Sequence, residues 1–183
     1  MKKTIITFGF ISGAILSALM LATIPFADRI GFDKALVVGY TTIVLAFLLV
    51  FFGIKAYRDN VGGGQITFTR AFVVGISITV ISSLCYVVSW EILYYNFMHG
   101  FMDKYAAYLV GKLQASGASA AKIADQLQEM KRYKELYENP LWNGLFTFIE
   151  PFPVGLVITL ISAAVLRRKQ PSQPAEATLA AQL

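Results

Sequence analysis

The sequence predicts an all-α membrane protein with four transmembrane helices and an extracytoplasmic helical hairpin between the third and the fourth. Composition is the first reason: 56% of the 183 residues are hydrophobic and only 15% are charged, a balance foreign to soluble domains. Arrangement is the second. The apolar residues are gathered into four long blocks, each supplying the about 20 helical residues that a bilayer core of about 30 Å demands.

The first block covers residues 4–27. Lys2 and Lys3 precede it as in a secretory signal, but the apolar run is too long for one and no small-x-small cleavage pattern follows, so a retained span is expected. Pro25 and the charged pair Asp28 and Arg29 are expected to end it. Blocks 35–56 and 71–90 carry no central charge and read as plain spans. The fourth, 141–166, carries Glu150, Pro151 and Pro153 in its first half. Residues 154–166 supply about 20 Å of helix, too little to cross alone, so the Glu-Pro-Phe-Pro segment is expected at membrane depth. Irregular backbone survives there only when buried in protein or lining a watery cavity.

Orientation follows from the cations beside span ends. Lys2, Lys3, Lys55, Arg58, Arg70, Arg167, Arg168 and Lys169 share one side, opposed only by Asp59 and Glu176. The cations of the other side are nearly balanced by carboxylates and lie mostly in a long loop. Both termini are therefore expected in the cytoplasm. The same topology accounts for a pI near 9.3; without an aromatic-interleaved basic patch, no nucleic-acid partner is expected, and the basic face is assigned to anionic lipid.

Spans without a hydrophobic drive to associate pack through small residues at four-residue spacing. Gly9, Gly13 and Ser17, then Gly75, Thr79 and Ser83, then Gly155, Thr159 and Ala163 form three such stripes, expected to face the bundle interior. Val44, Leu48 and Phe51 are expected to face lipid, and Trp90, Tyr94 and Trp142 to form an outer aromatic belt. Gly62-Gly63-Gly64 lacks the Gly-Lys-Ser/Thr ending of a phosphate loop and reads as a turn, after which Thr67 or Thr69 caps the third span.

The stretch of about 98–139 reads as two helices outside the membrane. Phe97, Phe101, Tyr105, Leu109 and Leu113 form one apolar stripe; Ile123, Leu127, Met130 and Tyr137 form another. The segment Ser116-Gly117-Ala118-Ser119 separates them, with Ser116 or Ser119 as cap of the second. One transmembrane domain, 1–169, is thus followed by a tail, 170–183, without core-forming pattern and expected to be disordered in the cytoplasm.

One histidine, His99, and one cysteine, Cys85, cannot make the paired spacings of zinc or disulfide sites, and no serine-hydrolase or metalloprotease motif occurs. Neither an enzyme nor a cofactor or metal site is expected. His99 reads as an interfacial ring and Cys85 as a small packing residue. The residues that can carry function are Glu150 and Glu91, both in the outer halves of their spans. Two readings stand open. The ordinary one is a kinked span whose Glu150 is neutral or paired with Arg29, Lys34 or a tyrosine. The sharper one is a polar pocket in which Glu150, helped by Glu91, binds a cation, a proton or a small polar ligand.

The runs Tyr57-Arg58, Gln65-Ile66-Thr67-Phe68, Ala71-Phe72 and Gly75, the break Gly117-Ala118-Ser119, then Asn139-Pro140-Leu141 and Phe148-Ile149-Glu150-Pro151-Phe152-Pro153-Val154-Gly155 resemble the bacterial family known as domain of unknown function 4199. The resemblance runs through Lys169 and implies a small four-span protein of the bacterial inner membrane; it brings no activity and no site residues. Two function classes follow: a non-enzymatic scaffold or accessory subunit with a membrane-protein partner or a second copy of itself, and a small transporter or ion-coupled permeation unit built on Glu150 and Glu91.

Overall fold

In the computed structural model, which describes residues 1–168 apart from the side chains of residues 25 and 27–30, nearly every residue is helical. The expectation of a disordered tail over 170–183, the position of Lys169 and the side chain of Arg29 lie outside the described residues. Three helices are continuous: α1 (Lys2–Ile30), α2 (Phe32–Asn60) and α3 (Phe68–Phe97). Two shorter ones, α4 (Phe101–Ala115) and α5 (Ala120–Tyr137), form the hairpin, and α6 (Pro140–Ile149) and α7 (Phe152–Leu166) together make the fourth span. Lys2–Ile24, Phe32–Asn60, Phe68–Phe97 and Pro140–Leu166 are each long and apolar enough to cross a membrane.

Helix ends depart from the expected spans for a physical reason: hydropathy reports which residues lipid can solvate, not where backbone hydrogen bonding stops. Pro25 does not end α1. The helix continues through it to Ile30, and the turn is made by Gly31, whose φ of 78° suits glycine. A proline inside a span is tolerated because neighbouring helices can satisfy the carbonyl it frees. Elsewhere the capping chemistry is as read: Thr67 Oγ1 accepts from Arg70 N at 3.3 Å, and Ser119 Oγ, not Ser116, accepts from Lys122 N at 3.3 Å. At the far end of the bundle Ile66 and Arg168 exchange two backbone hydrogen bonds, 3.2 and 2.9 Å, tying the α2–α3 turn to the end of α7.

Helix α3 packs against all three other spans, and the small-residue stripes are what it packs with. A Cβ on Gly13 would stand 2.7 Å from Cys85 Cβ, and one on Gly75 would stand 2.8 Å from Thr159 Cγ2. Hydroxyls line the same seams: Ser12 donates to Ala46 O at 3.1 Å, Ser82 to Gly9 O at 3.1 Å, Ser89 to Ser17 at 2.9 Å, and Thr79 shares a 3.1 Å bond with Thr159. Such bonds contribute only about 0.6 kcal/mol each between membrane helices, so they fix register while close packing supplies most of the stability. Large apolar side chains turn the other way: Phe10, Val37, Leu45, Phe52 and Val88 are more than half exposed, toward lipid. Val44 and Leu48 are exposed as expected, whereas Phe51 packs against the core and its neighbour Phe52 takes the lipid position.

The hairpin folds back over one end of the bundle. Phe32, at the start of α2, lies 4.9 Å from the Tyr108 ring and 5.5 Å from that of Tyr105. Lys112 bridges to Asp33 at 2.9 Å, and Lys134 joins α5 to Asp103 of α4 at 2.7 Å. Hydrogen bonds to these carboxylates hold both ammonium groups above the ordinary lysine value. A raised folded-state value means that their contribution is whole below about pH 10.4, the unfolded value, and is lost as pH climbs through the folded one. Exposed pairs contribute little, so the expected outcome is local: a spin-label distance between α4 and α2 lengthens at strongly alkaline pH while the spans stay helical. An unchanged distance would show that the rings around Phe32 hold the hairpin unaided.

Candidate functional site: a roofed cavity around Glu150

Helix α6 begins where Asn139 Oδ1 accepts from Leu141 N at 3.0 Å and Pro140 occupies the first turn. It stops after ten residues. Pro151 and Pro153 have no amide hydrogen, so the ladder breaks, although Glu150 and Pro151 both keep helical dihedrals. The fourth span is therefore two helices in series, with Glu150 at the joint. Asn143, wholly buried, steadies the first piece: its Nδ2 donates to Tyr137 O at 3.1 Å and its Oδ1 accepts from Thr147 at 3.3 Å.

Glu150 lines a cavity of about 620 Å³ between the bundle and the hairpin. Its walls come from α1 (Met20, Ile24), α2 (Phe32, Gly39), α3 (Tyr86, Trp90), the hairpin (Phe101, Tyr105, Met130, Tyr137) and α6 (Phe146). Tyr86, 8% exposed, donates its hydroxyl to Glu150 Oε2 at 3.1 Å. Of the partners expected for Glu150, the structure selects a tyrosine; Lys34 is exposed at the surface. Burial pushes the Tyr137 hydroxyl up to about 12, so it stays protonated at neutral pH. Among the described residues of the lining, Glu150 is the one acidic side chain, and no Lys, Arg or His stands beside it there.

Glu91 is placed elsewhere. Its carboxylate lies against Gly144, with Oε1 3.1 Å from where a Cβ of that residue would stand, and it does not line the cavity. His99 is exposed and also stands apart from the site, and Cys85 fills the seam beside Gly13. Among the described residues no cluster of His, Cys, Asp or Glu side chains has the makings of a metal site.

The placement of several residues in and around the cavity escapes a reading of the sequence. Trp90 and Tyr94 do not form an outer belt: Trp90 meets the Phe101 ring edge-on at 5.5 Å, and Tyr94 meets Tyr137 at 5.2 Å, so both stack inward beneath the hairpin. Trp142 alone of the three stays 45% exposed. The available signal was the four-residue spacing of Tyr86, Trp90 and Tyr94, one aromatic stripe on α3. On α5 the cavity-facing stripe is Gln126, Met130, Tyr133 and Tyr137, and Leu127, grouped with Met130 and Tyr137 in the stripe read from the sequence, is 43% exposed. Phe97, expected to begin the first hairpin stripe, ends α3 instead and is 74% exposed.

Four apolar spans, hydroxyl-lined seams and a carboxylate at a helix joint define a multi-pass α-helical integral membrane protein with a cavity between its spans and its hairpin. The chain belongs to the family of proteins of unknown function DUF4199, whose sequence profile matches residues 7–168. No curated protein and no solved structure matches it.

Proposed function

We propose that this protein is a non-enzymatic component of the bacterial cytoplasmic membrane, with both termini inside, whose outward-facing cavity binds a small ligand at Glu150. The observation that carries the reading is a cavity of about 620 Å³ with one carboxylate held against Tyr86. That volume suits a small organic molecule, and an acid at membrane depth is costly enough to mark a site. The orientation rests on Lys2, Lys3, Lys55, Arg58, Arg70, Arg167 and Arg168, which flank span ends away from the hairpin. The absence of catalysis rests on the sequence, where a lone His99 and a lone Cys85 supply no nucleophile and base pair. Such a site serves a small transporter, with Glu91 outside the cavity in a packing role.

An accessory subunit that only docks on a partner is favoured by a different observation: Leu127 and Leu136 on the hairpin are 43% and 38% exposed outside the spans. One experiment separates the two. The protein and its Glu150→Gln variant are extracted in native lipid discs, and co-isolating molecules are identified by mass spectrometry. A small molecule present with the native chain and lost from the variant is the expected result. A protein partner retained by both, with no small molecule, would establish the accessory subunit and remove Glu150 from the account.

A further inference from the structure

We infer that the occupant of the Glu150 cavity is an organic cation with an apolar body, an inference that rests on the ligand site proposed above. The Glu150 carboxyl is matched by no Lys, Arg or His in the lining among the described residues, so no cationic side chain is there to receive an anion. A divalent metal ion is a poor fit as well, because it wants several oxygen ligands, carboxylates foremost, and among the described residues the lining offers a single carboxyl group. What surrounds Glu150 is aromatic. Tyr86, Trp90, Phe101, Tyr105 and Tyr137 all belong to the lining, and the face of an aromatic ring attracts a weakly hydrated cation. Met20, Met98, Met102 and Met130 complete the walls; methionine is flexible and polarisable and adapts to bodies of different shape.

Magnitudes agree with that division of labour. A buried, partly satisfied carboxylate attracts a cation strongly only if the cation gives up its water cheaply, which an ammonium or phosphonium wrapped in hydrocarbon does. The apolar body then fills a cavity of about 620 Å³, and each square ångström of apolar surface it removes from water contributes about 25 cal/mol. Charge supplies selectivity and the body supplies affinity.

The test uses three probes of similar shape: tetraphenylphosphonium, tetraphenylborate and the neutral triphenylphosphine oxide, each titrated by equilibrium dialysis against the full chain in lipid discs, with empty discs subtracted. The phosphonium is expected to bind at least tenfold more tightly than either of the others. Glu150→Gln is expected to remove that preference and leave binding of the neutral probe unchanged. A second variant, Gly39→Leu, leaves Glu150 untouched: Gly39 lines the cavity, and an added Cβ there meets no atom within 4 Å. It is expected to weaken all three probes together by occupying space. Should Glu150→Gln fail to fold, the phosphonium against borate comparison on the native chain decides alone. Equal binding of cation and anion would overturn the cation while leaving the ligand site standing; binding of none of the three would overturn the site itself.

Discussion

Replacing Gly155 by leucine is expected to destabilise the bundle by about 3 kcal/mol, the upper part of the range for overpacking a tight interior. Gly155 lies where α7 crosses α3 under α2. A Cβ there would collide with Thr79 and stand 3.0 Å from the Phe47 ring, and neither neighbour can yield. Thr79 is fully buried and hydrogen bonded to Thr159 at 3.1 Å. Phe47 is 0% exposed, in an interior packed as densely as a crystal. The measurement is unfolding by sodium dodecyl sulfate titrated into mild detergent micelles, followed by far-ultraviolet circular dichroism. Gly39→Leu is the control, since its Cβ meets nothing within 4 Å and leucine raises helix propensity by several tenths of a kcal/mol, to about 0.8. Coincident midpoints for the two variants would mean that the α3–α7 approach is looser than described.

Phe47→Ala carries the second large effect, also about 3 kcal/mol, the low end of what phenylalanine truncation costs in soluble cores. The low end applies because the usual cost has two parts, and only one survives in a bilayer. Lipid chains are as apolar as the protein interior, so transfer contributes little, and the loss is that of packing contacts around an unfilled space. Phe52, five residues along the same helix, is 52% exposed to lipid. Its replacement by alanine is expected to change stability by less than about 0.5 kcal/mol. The contrast between two phenylalanines on α2, read in the same titration, checks the inward and outward assignment directly. Similar losses for both would contradict it.

Both predictions bear on the candidate site, because α2 supplies part of its lining and α7 follows directly on Glu150. Gly39 of α2 lines the cavity, and Glu150 sits five residues before Gly155. A bundle loosened at Phe47 is free to shift the joint between α6 and α7, and with it the 3.1 Å contact of Tyr86 with Glu150. Loss of ligand discrimination in Phe47→Ala, with Glu150 intact, would therefore reflect position and not chemistry.

What could be read beforehand was set by local pattern. Hydropathy sums over about 20 residues located all four spans. Small residues at four-residue spacing marked the seams, and Glu150 with its two prolines marked a joint in the fourth span. Errors fell where two apolar environments compete. Phe51 turned inward and Phe52 outward, and Trp90 turned inward, yet each of these side chains is solvated well by lipid or by protein. No hydrophobic difference tells the faces apart, so the choice falls to volume and fit, which depend on the partner helix.

The sequence by itself thus determined the solvent of each segment, the seams along which spans meet and the place where the fourth span breaks, because those properties follow from spacing along one strand of backbone. The tertiary structure alone decided that Glu150 meets Tyr86 across 64 residues of chain, that Glu91 stays beside Gly144, and that the hairpin roofs a cavity between them and the spans. The first two depend on how α3 meets the fourth span, and the last on where α4 and α5 come to rest against the rings around Phe32 and the Asp33–Lys112 pair, contacts between residues too distant in sequence for any local pattern to announce.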